Sequence, residues 1–184
     1  MKITETPLPG LLIIEPSVFN DERGYFYESY HFQRYQEIGI EIPFVQDNES
    51  KSVKGVVRGL HYQLNPVAQA KLVRVVQGTV YDVALDLRKG SPTFGQWFGL
   101  EISETDKRQL FIPRGFAHGF SVLSETAIFS YKCDNGYSRD AERAINSFDP
   151  QLNIDWQIND AECKISEKDK IAPLFAQAEM NFIF

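Results

Sequence analysis

The stretch Thr79-Val-Tyr-Asp-Val-Ala-Leu-Asp-Leu-Arg88 alternates with a period of two: Tyr81, Val83, Leu85 and Leu87 share one face, and Asp82 and Asp86 fall on the other. Successive side chains of a strand point to opposite faces, so this is read as a strand with one packed face. Working outward, similar short runs occupy Val56–Tyr62, Lys71–Gln77, Gln96–Ile102, Gln109–Ile112, His118–Leu123 and Ile128–Cys133. Turn-forming residues part most of them, as in Gln77-Gly78, Lys89-Gly-Ser-Pro92 and Pro113-Arg-Gly115. Strands at about 8–12-residue spacing with no helix between them predict an antiparallel sandwich or barrel. Helix is expected in two short places. His31–Ile38 sets Phe32, Tyr35 and Ile38 at helical spacing and stops at Gly39, and Ser166-Glu-Lys-Asp169 opens a helix before Pro173. In a barrel every second strand residue points inward, so polar residues on that phase converge on a pocket.

The chain has 184 residues, with 19 basic and 25 acidic side chains and a formal charge of −6. That length predicts a single domain over residues 1–184, large enough to bury about 70% of its unfolded surface without staples. Cys133 and Cys163 match no metal-ligand spacing, and so few cysteines predict a reducing, cytoplasmic setting. The opening Met1-Lys-Ile-Thr-Glu-Thr-Pro7 lacks a signal-peptide core, and no run approaches the ~18 apolar residues of a membrane span, so no membrane association is expected. The cations are scattered, which counts against nucleic acid as a partner while leaving room for one small anion. Aromatic residues make up 13% of the chain, a composition suited to strands and to flat ligands that stack.

Of the three histidines, two lie in glycine-bounded strand signals, Gly55-Val-Val-Arg-Gly-Leu-His-Tyr-Gln63 and Pro113-Arg-Gly-Phe-Ala-His118. Residues 55–78 and 113–118 resemble the two motifs of the cupin superfamily, which implies an all-β jelly roll (a double-stranded β-helix) of two antiparallel sheets with short peripheral helices. Gly55, His61, Gly78, Pro113, Gly115 and His118 match. Gln63 stands where the second histidine belongs, Lys71 takes the place of the glutamate, and Val122 replaces an asparagine. An ammonium repels a cation, and two histidines make a poor divalent site, so the pocket is expected to hold no metal and no cofactor. Its electrophilic work then falls to side chains such as Lys71, Arg58 and His118.

Asp21-Glu-Arg-Gly-Tyr-Phe-Tyr-Glu28, Phe44-Val-Gln-Asp-Asn48, Ala70-Lys-Leu-Val-Arg74, Gly90-Ser-Pro-Thr-Phe-Gly95, Ile112-Pro-Arg-Gly-Phe-Ala-His-Gly119 and Asn153-Ile-Asp-Trp156 extend the pattern. Together with the two histidine segments they resemble the dTDP-4-dehydrorhamnose 3,5-epimerase family, in order from about residue 3 to about residue 175. The resemblance implies a metal-independent isomerase that inverts carbons 3 and 5 of a dTDP-linked 4-keto-6-deoxyhexose in L-rhamnose precursor synthesis. A relative that inverts only one carbon is the alternative. The family also implies a homodimer in which an N-terminal strand crosses to the partner.

Carried over residue by residue, the resemblance makes His61 the base, Tyr131 the acid and Lys71 the partner of the ketone oxygen. It makes Asp169 the carboxylate that orients His61, although Ser166-x-x-Asp169 is equally a helix N-terminus signature. His118 becomes a sugar contact, and Arg23 and Arg58 become diphosphate contacts. Glu28, Gln46, Asp47, Asn48, Glu142 and Lys168 become further substrate contacts on resemblance alone. Phe19, Phe26 and Tyr137 are candidates to stack on thymine or line the sugar pocket, with core packing the expected role of Phe26. The chain departs from the family pattern at Ala70, at Glu49 and in the spacing near residue 157.

Overall fold

A computed structural model describes residues 1–184, the side chain of Asp160 excepted. In chain order the strands are β1 (Lys2–Glu5), β2 (Leu12–Glu15), β3 (Phe19–Asp21), β4 (Gly24–Phe26), β5 (Gln46–Val53), β6 (Val57–Gln63), β7 (Lys71–Gln77), β8 (Thr79–Asp86), β9 (Trp97–Ser103), β10 (Gln109–Ile112), β11 (Phe116–Val122), β12 (Thr126–Cys133) and β13 (Glu142–Ala144). The helices are α1 (Phe32–Gln36) and α2 (Glu167–Lys170), both where the sequence places them. A six-stranded antiparallel sheet, ordered β1-β2-β10-β7-β12-β5, faces a five-stranded one, ordered β13-β6-β11-β8-β9. The short β3–β4 hairpin belongs to neither.

Apolar residues on the inward phases of both sheets meet between them, among them Val73, Val75, Val80, Ala84, Phe120 and Phe129. The rings of Phe120 and Phe129, one from each sheet, stack at 4.2 Å and 19°. Burying each ring contributes about 2–3 kcal/mol, so this contact both joins the sheets and closes one end of the space between them.

Strand β8 corrects the expectation of one packed face. Tyr81, Val83, Leu85 and Leu87 do share a face, but it is the outer one, packed by the C-terminal residues Ile145, Leu152, Trp156, Phe175 and Phe182. The opposite face is buried as well: Val80 and Ala84 enter the core, and Asp82 and Asp86 have no exposed surface. Asp86 accepts from Arg88, Ser91 and Thr93 at 2.6–2.9 Å. Burial raises its pKa, but these bonds outweigh it and hold the carboxyl below its ordinary value, so Asp86 is an anchor for the following turn. The six-stranded sheet is likewise covered outside, where Tyr35 of α1 and Ile40 pack with Ile14, Leu72 and Phe111.

Phe26 is 66% exposed on the β3–β4 hairpin and is not a core residue. Its neighbour in register, Phe19, is equally exposed. Core packing fails as an expectation there because the hairpin stands outside both sheets.

Candidate active site

Strands β6 and β11 approach closely where two glycines face each other. A Cβ on Gly59, whose φ is 120°, would lie 2.5 Å from the Cα of Gly119, and one on Gly119 would lie 2.6 Å from the carbonyl oxygen of Arg58. No other residue fits at either place. Just beyond this contact His61 and His118 are register partners, so both imidazoles sit on the inner wall of the five-stranded sheet.

Each histidine is paired with an aspartate. His61 Nε2 lies 2.6 Å from Asp169 Oδ1 on α2. His118 Nε2 lies 2.9 Å from Asp82 Oδ2 on β8, one diagonal step away in the same sheet. In the neutral imidazole a hydrogen on Nε2, donated to the carboxylate, leaves Nδ1 with the lone pair. The two readings of Asp169 are compatible because they use different atoms: its backbone N–H donates to the Ser166 cap at 3.1 Å while its carboxylate meets His61. Burial raises the Asp169 pKa, but the His61 bond and charge outweigh it and keep the group below its ordinary value, ionised at neutral pH. Burial lowers His118 more than Asp82 restores it, so that ring is neutral at pH 7.

The opposite wall comes from the six-stranded sheet. Lys71 on β7 is buried, with Nζ 3.5 Å from the His61 carbonyl oxygen and 5.8 Å from the Tyr131 ring centroid. Burial lowers the pKa of its ammonium, which makes it a stronger proton and hydrogen-bond donor. Tyr131 lies on the inward phase of β12 with Phe129, and burial raises its phenol, which stays protonated. These groups line a cavity of about 300 Å³ together with Arg58, Asn48 and Glu142. Arg58 donates from Nε to Ser52 at 3.0 Å and also borders a second hollow beside Asp169 and Lys168. Glu142 accepts from Lys168 at 2.6 Å and from the Tyr137 hydroxyl at 3.1 Å.

Other residues named from the sequence lie elsewhere. Gln46 is beside the cavity, but its amide is engaged by Asn48 and by the Tyr137 N–H. Asp47 points to the other face of β5 and pairs with Lys132 at 2.8 Å. Arg23 pairs with Asp21 on the exposed hairpin, and Glu28 pairs with Arg34. Neither lines the cavity, so within one chain Arg23 does not join Arg58 and Lys71 in a single basic spot. Neither cysteine forms a disulfide. Among the described residues no three His, Cys, Asp or Glu side chains are grouped as metal ligands, and no helix is long and apolar enough to cross a membrane.

A family model described as dTDP-4-dehydrorhamnose 3,5-epimerase matches residues 5–177. A protein of that name from Shigella flexneri is 52% identical over 180 residues, spanning 97% of this chain and 98% of its own. The chain belongs to the dTDP-4-dehydrorhamnose 3,5-epimerase family.

The epimerase from Elizabethkingia anophelis superposes with a TM-score of 0.92 at 55% identity, covering 96% of this chain and 97% of that one. A Legionella pneumophila 3,5-epimerase solved with dTDP-4-keto-L-rhamnose has a TM-score of 0.92 at 52% identity, covering 96% and 93%. The chain is therefore an isomerase with the all-β cupin fold of these epimerases. Asp82 is the residue that reading the sequence missed. Its signal was present, since an acid alternating with Val80 and Ala84 shares their phase, but period alone does not say which face of a strand is inside.

Proposed function

We propose that this cavity inverts carbons 3 and 5 of dTDP-4-dehydro-6-deoxy-D-glucose to give dTDP-4-dehydro-L-rhamnose. The observation that carries this reading is the placement of a base and an acid on opposite walls, His61 on one sheet and Tyr131 on the other. Epimerisation needs that arrangement: a proton leaves one face of the carbon and another arrives on the opposite face. His61 Nδ1 takes the proton next to the ketone, and the electron pair of the C–H bond moves onto the carbonyl oxygen as an enolate. Lys71 binds that oxygen, where its charge matters more in the enolate than in the ketone. The enolate collapses back to a ketone as Tyr131 delivers its proton to the carbon from the other side. Asp169 keeps His61 in the tautomer that has Nδ1 free. Chemistry of this kind is assigned to side chains alone, with no resident metal or cofactor.

His118 serves the sugar, and Arg58 with Asn48, Glu142 and Lys168 serves the nucleotide, where Tyr137 offers a ring to thymine. In a homodimer the β3–β4 hairpin, with Phe19 and Phe26 exposed, is the segment placed to reach a second copy and carry Arg23 and Glu28 to its cavity. Sedimentation equilibrium that reads a monomer would remove this part. A single domain in the cytoplasm is consistent with the two cysteines outside any disulfide.

Incubation with dTDP-4-dehydro-6-deoxy-D-glucose in deuterated water tests the reading. Deuterium is expected at both carbon 3 and carbon 5. Label at one carbon only would select the single-carbon epimerase, and no label would overturn the assignment.

A further inference from the structure

Gln63 occupies the motif position at which metal-binding relatives of this fold carry a histidine, and the proton chemistry above makes no use of it. It is buried, and every hydrogen-bonding group of its amide is engaged on main chain. Oε1 accepts the Ser138 N–H at 2.7 Å, and Nε2 donates to the Val67 carbonyl at 2.7 Å and to the Gly136 carbonyl at 3.2 Å. Between Gly136 and Ser138, the Tyr137 N–H donates to Gln46 Oε1 at 2.8 Å. Three consecutive residues are thus each held by a glutamine amide. They lie between the end of β12 at Cys133 and the start of β13 at Glu142, where no sheet ladder holds the chain.

Only a primary amide presents two donors and an acceptor on one planar head of this size. A carboxylate would set lone pairs against the carbonyls of Val67 and Gly136, and an apolar side chain would take the amide away from all three main-chain groups. The residue so held is Tyr137, 59% exposed, lining the cavity, with its hydroxyl on Glu142.

We propose that Gln63, assisted by Gln46, is a positioning residue that sets the Tyr137 ring at the cavity mouth and so governs how tightly the nucleotide is held. The proposal rests on the reading that Tyr137 meets the nucleotide. It separates two duties on neighbouring positions of β6: His61 moves the proton, and Gln63, two residues on, fixes the wall against which the substrate docks.

The test has one arm without ligand and one with it. In the free protein, amide hydrogen exchange resolved by residue should quicken at Ser138 in Gln63→Leu and at Tyr137 in Gln46→Ala. Binding of dTDP, read by calorimetry, should weaken about tenfold in Gln63→Leu, the size of one lost hydrogen bond, while kcat falls no more than about twofold. In a Tyr137→Ala background, Gln63→Leu should weaken dTDP binding no further. Unchanged exchange, an effect additive with Tyr137→Ala, or a loss confined to kcat would each overturn the proposal. If Gln63→Leu does not fold, Gln46→Ala carries the same measurements at the adjacent amide. Wild-type protein that binds no dTDP would sink the functional reading instead, and the exchange arm would still decide the clamp.

Discussion

His61 takes its carboxylate from α2, a single helical turn lying outside both sheets, whereas His118 takes its carboxylate from the neighbouring strand β8. The His61 side chain is 33% exposed and that of Asp169 is 5% exposed; for His118 and Asp82 the values are 7% and 0%. His118 is also stacked, its ring 5.8 Å from that of Phe129 and 20° from parallel. The same pair of residue types therefore does two jobs. A base that gives and takes a proton in each turnover needs access and a counter-charge that stays ionised, which α2 supplies. A ring locked in the core cannot change its charge cheaply, and it serves as a fixed polar wall.

The sharpest way to break this contrast is to remove each imidazole in turn. His61→Ala should abolish deuterium uptake at both carbons, a loss of about 10²–10⁴-fold, while dTDP binding stays near the wild-type value. His118→Ala should leave exchange measurable and raise KM. If instead His61→Ala turned over at a near-normal rate, the roles of the two pairs would be reversed.

The strands from β6 to β12 were legible because short apolar runs are parted by turn residues, and their limits fall within two residues of those read from the sequence. Strand β5 was not: Gln46-Asp-Asn-Glu-Ser-Lys-Ser-Val53 carries little apolar signal because it is an edge strand with alternate residues in solvent. His61, His118, Lys71, Tyr131, Arg58 and Asp169 do gather around one site: the strands bring the first five together, with a register shift between β6 and β11 that turns Arg58 inward beside His61, and α2 brings Asp169. Asp47 falls outside that cavity for the same reason in reverse. It lies between Gln46 and Asn48 in sequence, and the pleat sends it to the other face. Arg23 shows a different limit, since nothing in a local pattern tells how far a hairpin stands from a pocket.

Carboxylate replacements should separate the pairs by kind of damage. Asp169→Asn should lower kcat by about 10²-fold with little change in thermal midpoint, because the amide no longer enforces the Nε2–H tautomer of a half-open ring. Asp82→Ala should act mainly on stability, at about 1–3 kcal/mol by denaturant titration, since it leaves the buried His118 N–H without its acceptor. Equal losses of rate and stability in both variants would erase the distinction drawn here.

The smallest expected effect lies in the pH dependence of folding. Burial holds the His118 pKa below its ordinary value of 6.5, so between that folded value and 6.5 the unfolded chain binds a proton that the folded chain refuses. The stability linked to His118 is accordingly complete above pH 6.5 and declines as the pH falls toward the folded value. Asp169 behaves in the same sense at lower pH: its folded pKa is depressed from 3.8, so its contribution is present above that value and is lost on further acidification. Denaturant midpoints measured between pH 7.5 and pH 5 should therefore fall in the wild type, and fall less in His118→Gln, which cannot titrate. If the midpoint of His118→Gln fell with acid as steeply as that of the wild type, the buried ring would change charge in the folded protein after all, and the division of labour between the two walls of this pocket would have to be redrawn.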